Sequence, residues 1–258
     1  MIKATSLLIA GHALALASPA LAQEEAPRRT RVALGPQLVP SYPGSDKVVV
    51  RPFIDVSRAR GDDPFPFEAA DESFGFALLR GGGFQVGPAL GFEGSRTRRD
   101  VGAALPKVGA TVELGGFVQY QLTPAFRLRA EARRGLGGHE AWVGGVGADY
   151  VARRGDEWLV SVGPRVTLSD GRYQRAYFGV APADAAPSGL RAFRPKGGVQ
   201  ALGATAGLLR QLTRRWGVST YLRYDRLIDD AARSPVVREL GSRNQFSGGI
   251  AATYTFGG

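Results

Sequence analysis

The sequence predicts an all-β protein, a closed antiparallel transmembrane β-barrel of the bacterial outer membrane with about 12 strands, or alternatively 10. Three observations lead to this fold class. The chain opens with a segment typical of exported proteins, alternates apolar and polar residues along most of its remaining length, and has no later apolar run of the roughly 18 residues that a spanning helix needs. Glycine, at 36 of 258 residues, further disfavours helices but is tolerated in closely packed sheets.

The opening segment has the three parts of a secretory signal peptide. Lys3 supplies an early positive charge, an apolar run follows, and the small residues Ala20 and Ala22 mark the expected cleavage point. We therefore expect residues 1–22 to be removed on export and residues 23–258 to form a single outer-membrane barrel domain. The chain has no cysteine, so neither a disulfide framework nor a lipidated cysteine is expected.

The alternation is clearest in the stretch FRLRAEAR, which runs from Phe126 to Arg133. One face of a strand would carry Phe126, Leu128 and two alanines, whereas the other would carry three arginines and Glu131. Similar segments of about ten residues, the length of a tilted membrane strand, begin at Val112, Trp158, Trp216 and Phe246. The side chains that this pattern assigns to the lipid face include Leu128, Val160, Val218 and Ile250.

A soluble sandwich or propeller in the periplasm would also alternate, and three features favour the barrel. Aromatic residues tend to begin or end the apolar faces, as expected at the two membrane interfaces. These residues are Trp142, Tyr150, Trp158, Trp216, Tyr224, Tyr254 and Phe256. The polar faces are rich in charged and small residues, which suits an ion-paired lumen. Finally, a sheet in lipid must close on itself because unpaired backbone groups are not tolerated there.

The pattern places twelve strands in order along the chain. They are predicted near residues 30–39, 48–58, 65–79, 84–93, 108–121, 126–134, 141–152, 157–168, 172–180, 199–212, 216–226 and 245–256. Short turns at 122–125, 153–156 and 212–215 all have the character of periplasmic turns, but twelve alternating strands would put the first two outside. Ten strands, with 172–180 as a loop and the N-terminal segments merged, would place all three on one side.

Four stretches carry a resemblance to a known family. They are VPSYPGSDKVVVRPFIDV, GPALGFEGSR, DGRYQRAYFGVAPADAAPSGLRAF and RLIDDAARSPVVRELGSRNQFSGGIAATYTF, in this order over about residues 30–256. Together they resemble the MipA/OmpV family of Gram-negative outer-membrane proteins, and YPGSD, YFGV, SGL and SPVV followed by GSRNQ are the most specific parts. The resemblance covers essentially the whole chain after the predicted signal peptide.

The resemblance implies a barrel with a scaffolding role and no assigned catalytic residues. The family's namesake is regarded as an adaptor between a lytic transglycosylase and a bifunctional peptidoglycan synthase, and other members are described as adhesins. The signature residues implied here are Tyr42, Gly44, Ser45, Tyr173, Tyr177, Phe178, Gly179, Ser188 and Gly189. We expect the segment from Tyr173 onwards to pack against the barrel wall or mouth, with residues 181–189 forming a compact turn.

Little in the sequence points to catalysis, a metal or a cofactor. His139 is the one histidine after the predicted signal peptide, and the serine nearest to it in sequence is Ser161, so a lipid-modifying enzyme is the weakest alternative. The acidic pairs at 62–63 and 229–230 are typical of solvated turns. Without cysteine, with one histidine and without a calcium-type loop, no metal site is predicted, and no cofactor is expected.

The chain is strongly basic, with a formal net charge of +10. Nucleic-acid binding is the general interpretation of such a charge, but export to the envelope argues against it. Arginine at the rims can bind lipid or lipopolysaccharide phosphates, and arginine inside a barrel can pair with carboxylates. The arginines predicted to face the lumen are Arg51, Arg127, Arg129, Arg165 and Arg223. They motivate a second hypothesis, a narrow anion-preferring channel.

Overall fold

The computed structural model describes residues 26–257, so the predicted signal peptide lies outside the described residues. The fold is all-β, as predicted, with twelve strands and five short helices in the described part of the chain. The strands are β1 (Arg28–Pro40), β2 (Val48–Arg60), β3 (Phe74–Gly75), β4 (Leu79–Gly81), β5 (Phe84–Glu93), β6 (Thr111–Thr123), β7 (Phe126–Leu136), β8 (Trp142–Arg154), β9 (Trp158–Ser169), β10 (Gly198–Gln211), β11 (Trp216–Leu227) and β12 (Asn244–Phe256). The helices are α1 (Arg98–Val101), α2 (Gly171–Phe178), α3 (Pro182–Ser188), α4 (Asp229–Arg233) and α5 (Pro235–Leu240).

The strands form one antiparallel sheet that curls into a nearly closed barrel. The hydrogen-bonded order is β2-β1-β12-β11-β10-β9-β8-β7-β6-β5-β3, and β4 also pairs with β5. Strands β1 and β12 are joined from Thr30 opposite Phe256 to Leu38 opposite Gly248, so the two ends of the sequence meet within the wall. The sheet order ends at β2 on one side and at β3 and β4 on the other.

Two of the predicted strands are wrong in detail, although the predicted total of twelve is confirmed. Residues 172–180 were expected to form a strand, but 171–178 form helix α2, which Asp170 caps by accepting a hydrogen bond from the backbone N–H of Tyr173 at 2.8 Å. Residues 65–79 were expected to form one strand, but only β3 and the first residue of β4 lie there. Pro64 and Pro66 lack the backbone N–H that a strand needs for pairing, so the chain does not form a strand before β3 begins at Phe74.

The wall therefore consists of ten long strands with a short pair, β3 and β4, beside β5. With this arrangement the turns at 124–125, 155–157 and 212–215 all lie at one end, which we call the short-turn end. The opposite, long-loop end carries the connections 94–110, 170–197 and 228–243. Outer-membrane barrels have short periplasmic turns and longer outer loops, so the short-turn end faces the periplasm.

The outer surface of the wall is apolar and carries aromatic residues near its ends. Leu128, Val160 and Ile250 are exposed on it, and Val218 is half-buried on the same face. At the short-turn end, aromatic rings pair between neighbouring strands, as in Trp216 and Tyr254, whose ring centroids are 4.8 Å apart. Other outward pairs are Phe84–Tyr120, Phe126–Tyr150 and Tyr224–Phe246. Among residues 26–257, no helix combines the length and apolar character needed to cross a membrane.

An arginine placed on the lipid face should be costly. Ile250 lies at the middle of β12 and is 56% exposed, so Ile250→Arg should lower the free energy of unfolding by about 2–4 kcal/mol. Urea unfolding in lipid vesicles measures this loss. The matched control is Ser247→Arg on the same strand, because Ser247 faces the lumen and lines a large cavity. Equal losses in the two variants would show that the faces are reversed.

Candidate functional site

The barrel lumen contains a chain segment that crosses it, residues 61–73 between β2 and β3, which we call the lumen segment. It enters from the short-turn end, where Phe65 is buried. The backbone N–H of Phe65 donates to Asp156 Oδ1 at 3.0 Å, and Arg153 Nη1 donates to the Phe65 carbonyl at 2.8 Å. The guanidinium of Arg31 lies over the Phe65 ring, 4.4 Å from its centroid. These contacts attach the start of the lumen segment to the wall at the short-turn end.

Asp71, near the end of the lumen segment, contacts two strands of the wall, β9 and β11, which lie on either side of β10. Arg165 Nε on β9 donates to Asp71 Oδ2 at 2.8 Å, and Arg223 Nη1 on β11 donates to the same oxygen at 3.1 Å. The side chain of Asp71 is 3% exposed. Burial acts to raise the pKa of Asp71, but Arg223 and Arg165 outweigh it and hold the pKa below its usual range. Asp71 is therefore an ionised link between the lumen segment and the neighbouring strands β9 and β11.

Glu72 makes the corresponding contacts to β7. It forms an ion pair with Arg127, whose Nη1 also donates to Glu72 Oε2 at 3.2 Å, and its Oε2 lies 3.7 Å from Arg129 Nε. Asp149 on β8 connects the two halves of this network, because it accepts from Arg127 at 2.6 Å and from Arg165 at 2.7 Å. A buried arginine is stable only when carboxylates and other acceptors surround it. Asp71, Glu72 and Asp149 supply these acceptors for three buried cations.

The structure thus places four of the five predicted lumen arginines in one network: Arg127, Arg129, Arg165 and Arg223. Arg51 also faces inward, but it lies apart near the long-loop end, 3.9 Å from Glu93 Oε1 on β5. The acidic partners Asp71 and Glu72 were not predicted, because their segment was interpreted as a strand. The sequence GDDPFPF before them, with two prolines, was the signal that the chain leaves the sheet there.

Glu68, in the middle of the lumen segment, has no cationic partner within ion-pairing distance among the described residues. Glu68 remains accessible to water in the lumen, but partial desolvation by the surrounding barrel, together with the nearby carboxylates of Asp55 and Glu72, raises its pKa to about 7, although Arg129 and Arg127 act in the opposite direction. Its usual pKa is 4.5. The native protein therefore holds a proton on Glu68 at pH values where the unfolded chain does not.

This raised pKa predicts a pH-dependent stability. Because the folded-state pKa exceeds the unfolded one, ionising Glu68 penalises the native state as pH rises from about 4.5, and fully above about 7. Glu68→Gln removes the penalty, so it should raise the unfolding midpoint at pH 8 and have little effect at pH 4. Thermal unfolding followed by circular dichroism measures both. Glu157→Gln, in an exposed turn, is the control; a Glu68→Gln effect independent of pH would contradict the assignment.

A cavity of about 1110 Å³ lies between the lumen segment and the long-loop end. Asp71, Glu72 and Ser73 form part of its floor, and Arg51, Arg133, Glu113 and Asp225 line its walls. Arg133 Nε donates to Glu113 Oε2 at 2.9 Å, and Arg133 also pairs with Glu131. Positive and negative side chains therefore alternate around this cavity, and its charge is mostly paired.

His139 lies beside this cavity and is fully engaged by its neighbours. Its Nε2 is 3.0 Å from Glu113 Oε1, its Nδ1 accepts from the backbone N–H of Ala141 at 3.1 Å, and its ring packs edge-on against Tyr173 with centroids 4.9 Å apart. Ser161 lies near the start of β9 at the short-turn end, whereas His139 lies at the long-loop end. The structure does not bring this histidine and this serine together. In the part of the chain from 26 to 257, no group of three or more acidic or histidine residues has the geometry of a metal site.

The segment from Tyr173 to Gly189, which we call the signature segment, packs over the long-loop end of the barrel. Tyr173, Tyr177 and Phe178 on α2 are buried in one apolar cluster with Tyr42 and with Val236 of α5. Arg96 Nη1 donates to the carbonyl of Tyr177 at 2.9 Å, and the Ser234 hydroxyl donates to that of Phe178 at 2.7 Å. Burial raises the pKa of both tyrosines. The long loops are therefore packed together over one side of the mouth.

The other signature residues shape the turns around this cluster. Gly44 has a φ of 93°, and a Cβ there would lie 2.9 Å from Val237 Cγ2 and 3.1 Å from the Phe178 ring, so only glycine fits. Ser45 is buried and its hydroxyl accepts from that of Ser41 at 2.7 Å. Gly179 ends α2. The predicted turn at 181–189 is helix α3, in which the Ser188 hydroxyl donates to the Asp184 carbonyl at 2.6 Å and which Gly189 ends with a φ of 72°.

An apolar, aromatic-bordered wall around a charged lumen defines this molecule as an outer-membrane β-barrel protein. The all-β barrel predicted from the sequence is confirmed. Its lumen is crossed by a segment that ion pairs hold to the wall. The family model described as MltA-interacting protein MipA matches residues 32–256. The chain therefore belongs to the MipA family, which confirms the resemblance seen in the sequence motifs.

Solved structures that resemble the chain are outer-membrane proteins with low sequence identity. OprB of Pseudomonas putida is 14% identical, with 69% of this chain and 46% of OprB covered and a TM-score of 0.38. OprG of Pseudomonas aeruginosa is 9% identical, with coverages of 90% and 97% and a TM-score of 0.28. Neisserial surface protein A is 9% identical, with coverages of 88% and 95% and a TM-score of 0.27. The chain thus spans less than half of OprB, and no curated protein matches it.

Proposed function

We propose that this protein is a non-enzymatic scaffold, exported through a cleaved signal peptide, that binds a lytic transglycosylase and a peptidoglycan synthase at the inner surface of the outer membrane. The observation that carries the proposal is membership of a family described as MltA-interacting, over residues 32–256. MltA is a lytic transglycosylase, an enzyme that cleaves peptidoglycan. Peptidoglycan lies in the periplasm, so the partners would meet the short-turn end of the barrel.

The organisation of the lumen supports a scaffold over an open channel. Asp71 and Glu72 form buried ion pairs with arginines of β7, β9 and β11, so the lumen segment holds these strands together from inside the barrel. Rigid packing of this kind suits a protein whose function is to present a surface. The wall arginines that motivated the anion channel are paired with carboxylates, which removes most of the attraction for a free anion. Both ring nitrogens of His139 are occupied, which is why we propose no catalytic role.

The proposal is tested by crosslinking in intact envelopes followed by purification of the tagged protein. We expect a lytic transglycosylase, with or without a peptidoglycan synthase, among the crosslinked proteins. Arg214→Glu with Arg215→Glu reverses two exposed charges at the short-turn end and should reduce the yield of crosslinked enzyme. Arg98→Glu with Arg99→Glu makes the same change at the long-loop end and should leave it unchanged. Repeated absence of both enzymes from the crosslinked material would refute the scaffold role.

A further inference from the structure

The barrel wall has one place where neighbouring strands are not hydrogen-bonded. Among residues 26–257, no backbone pairing joins β2 to β3, β4 or β5, although these strands occupy the two ends of the sheet order. We call this gap the seam. Near the long-loop end it is crossed by Arg51 and Glu93, whose charged atoms are 3.9 Å apart. An unpaired strand edge in a membrane requires another group to cover it.

Exposed arginines cluster at the short-turn end of the seam. Arg58 and Arg60 point outward from β2 at the level of the membrane interface, and Arg80 lies across the seam on β4. The register places Arg28 of β1 directly opposite Arg60. All four line a cavity of about 530 Å³ in which Asp63 is the one acidic side chain. Within the described residues, neither Arg58, Arg60 nor Arg80 forms an ion pair with a carboxylate.

Like charges this close on one face repel each other, and an anion placed between them would remove the repulsion. The guanidinium groups of Arg58, Arg60 and Arg80 present a surplus of planar donors, which match the oxygens of a phosphate. Because the cluster lies at the periplasmic interface, the phosphate nearest to it in the membrane is the headgroup of a phospholipid. Lipopolysaccharide occupies the opposite leaflet.

A second cavity, of about 420 Å³, continues from the basic one along the seam. The two cavities share Arg58, Pro66 and Arg80. Its outward-facing lining is apolar, since it includes Val56 of β2 and the rings of Phe74 and Phe76, both more than half exposed, whereas its lumen side carries Glu68, Glu72 and Arg129. A basic cavity joined to an apolar groove at the membrane interface matches a molecule with an anionic head and a hydrocarbon tail.

We propose that the seam binds one anionic phospholipid of the periplasmic leaflet, of the phosphatidylglycerol type. Its phosphate lies between Arg58, Arg60 and Arg80, and one acyl chain covers the strand edge beside Phe74 and Phe76. The net positive charge of the basic cavity favours this lipid over a zwitterionic one, whose ammonium group would meet the same arginines. The bound lipid would complete the barrel wall where the strands leave it open.

Native mass spectrometry of the detergent-purified protein with added lipid tests the site. At equal lipid concentration, phosphatidylglycerol should be retained as a single adduct, and phosphatidylethanolamine should be retained much less. Arg58→Ala with Arg60→Ala removes two charge-assisted contacts and should weaken phosphatidylglycerol binding by about tenfold or more. Arg210→Ala with Arg214→Ala removes two exposed arginines on the far side of the short-turn end and should have no effect.

A second variant tests the apolar half of the site. Phe74→Ser with Phe76→Ser removes the two exposed rings of the groove, so it should weaken binding of phosphatidylglycerol without changing the weak binding of inorganic phosphate. Three results would each overturn the proposal. They are equal retention of the two lipids, equal loss of phosphatidylglycerol binding in the two double-arginine variants, and full displacement of the lipid by millimolar phosphate. The last outcome would mean that the arginines bind a free anion. Each variant is shown to be folded if its unheated sample migrates differently from its heated sample on a denaturing gel.

Discussion

Replacing Asp71 and Glu72 together by alanine should lower the free energy of unfolding by about 3–5 kcal/mol, or more if the two losses add. The change leaves Arg165 and Arg127 with a single acidic partner, Asp149, and deprives Arg223 of one of its two carboxylates. Buried cations without their counter-ions are costly, and the lumen segment loses its attachment to the wall. Urea unfolding in lipid vesicles gives the loss, and limited proteolysis shows whether residues 61–73 have become accessible.

The control for this variant lies in the same segment. Asp62→Ala with Asp63→Ala removes the same number of negative charges, but both residues are exposed and neither carboxylate pairs with a wall arginine. Arg29 donates only to the backbone carbonyl of Asp63, which the substitution retains. We expect this control to change the free energy of unfolding by less than about 0.5 kcal/mol. If the two double variants are equally stable, the ion pairs of Asp71 and Glu72 do not hold the lumen segment.

Phe178→Ala should cause the second large loss, about 3–5 kcal/mol in the stability of the long-loop closure. Phe178 is 0% exposed, and it packs with the apolar residues of α2, α4 and α5. Its removal leaves a cavity where three loops meet, so these loops should also become sensitive to protease. Hydrogen exchange over residues 170–197 and 228–243 measures the local loss.

Phe92→Ala is the matched control for the closure, because Phe92 is 67% exposed on the outer face of β5 and carries the same ring. Its truncation should leave the protection of the long loops unchanged. Loss of protection in both variants would show that the loops depend on the barrel as a whole. Loss in neither would show that the buried cluster does not order them.

Local patterns predict the barrel wall well. In β7 the alternation correctly separates the outward Leu128 from the inward Arg127 and Arg129, because a strand of fixed period has only two faces. The same reasoning correctly puts Ile250 outside. Tyr173 and Tyr177, four residues apart, and Phe178 after them lie on one face of a helix, and Asp170 precedes them as a cap. This helical spacing is present in the sequence, but the strand patterns on either side favour the interpretation of residues 172–180 as one more strand.

Long-range placement could not be predicted in the same way. Asp71 lies 94 residues before Arg165 and 152 before Arg223, and nothing local indicates that these charges meet. The prolines at 64 and 66 indicate that the chain leaves the sheet, but not that it turns into the lumen. The seam depends on which strands fail to pair, which is a property of the whole sheet order.

The ion-paired lumen segment should block the barrel, and single-channel recording in planar bilayers tests this most directly. We expect the wild-type protein to give no conductance steps, and the Asp71→Ala, Glu72→Ala variant to give discrete steps as residues 61–73 leave the lumen. The exposed control, Asp62→Ala with Asp63→Ala, should stay silent. Steady conductance from the wild-type protein that the double variant does not increase would show that the lumen segment does not block the barrel.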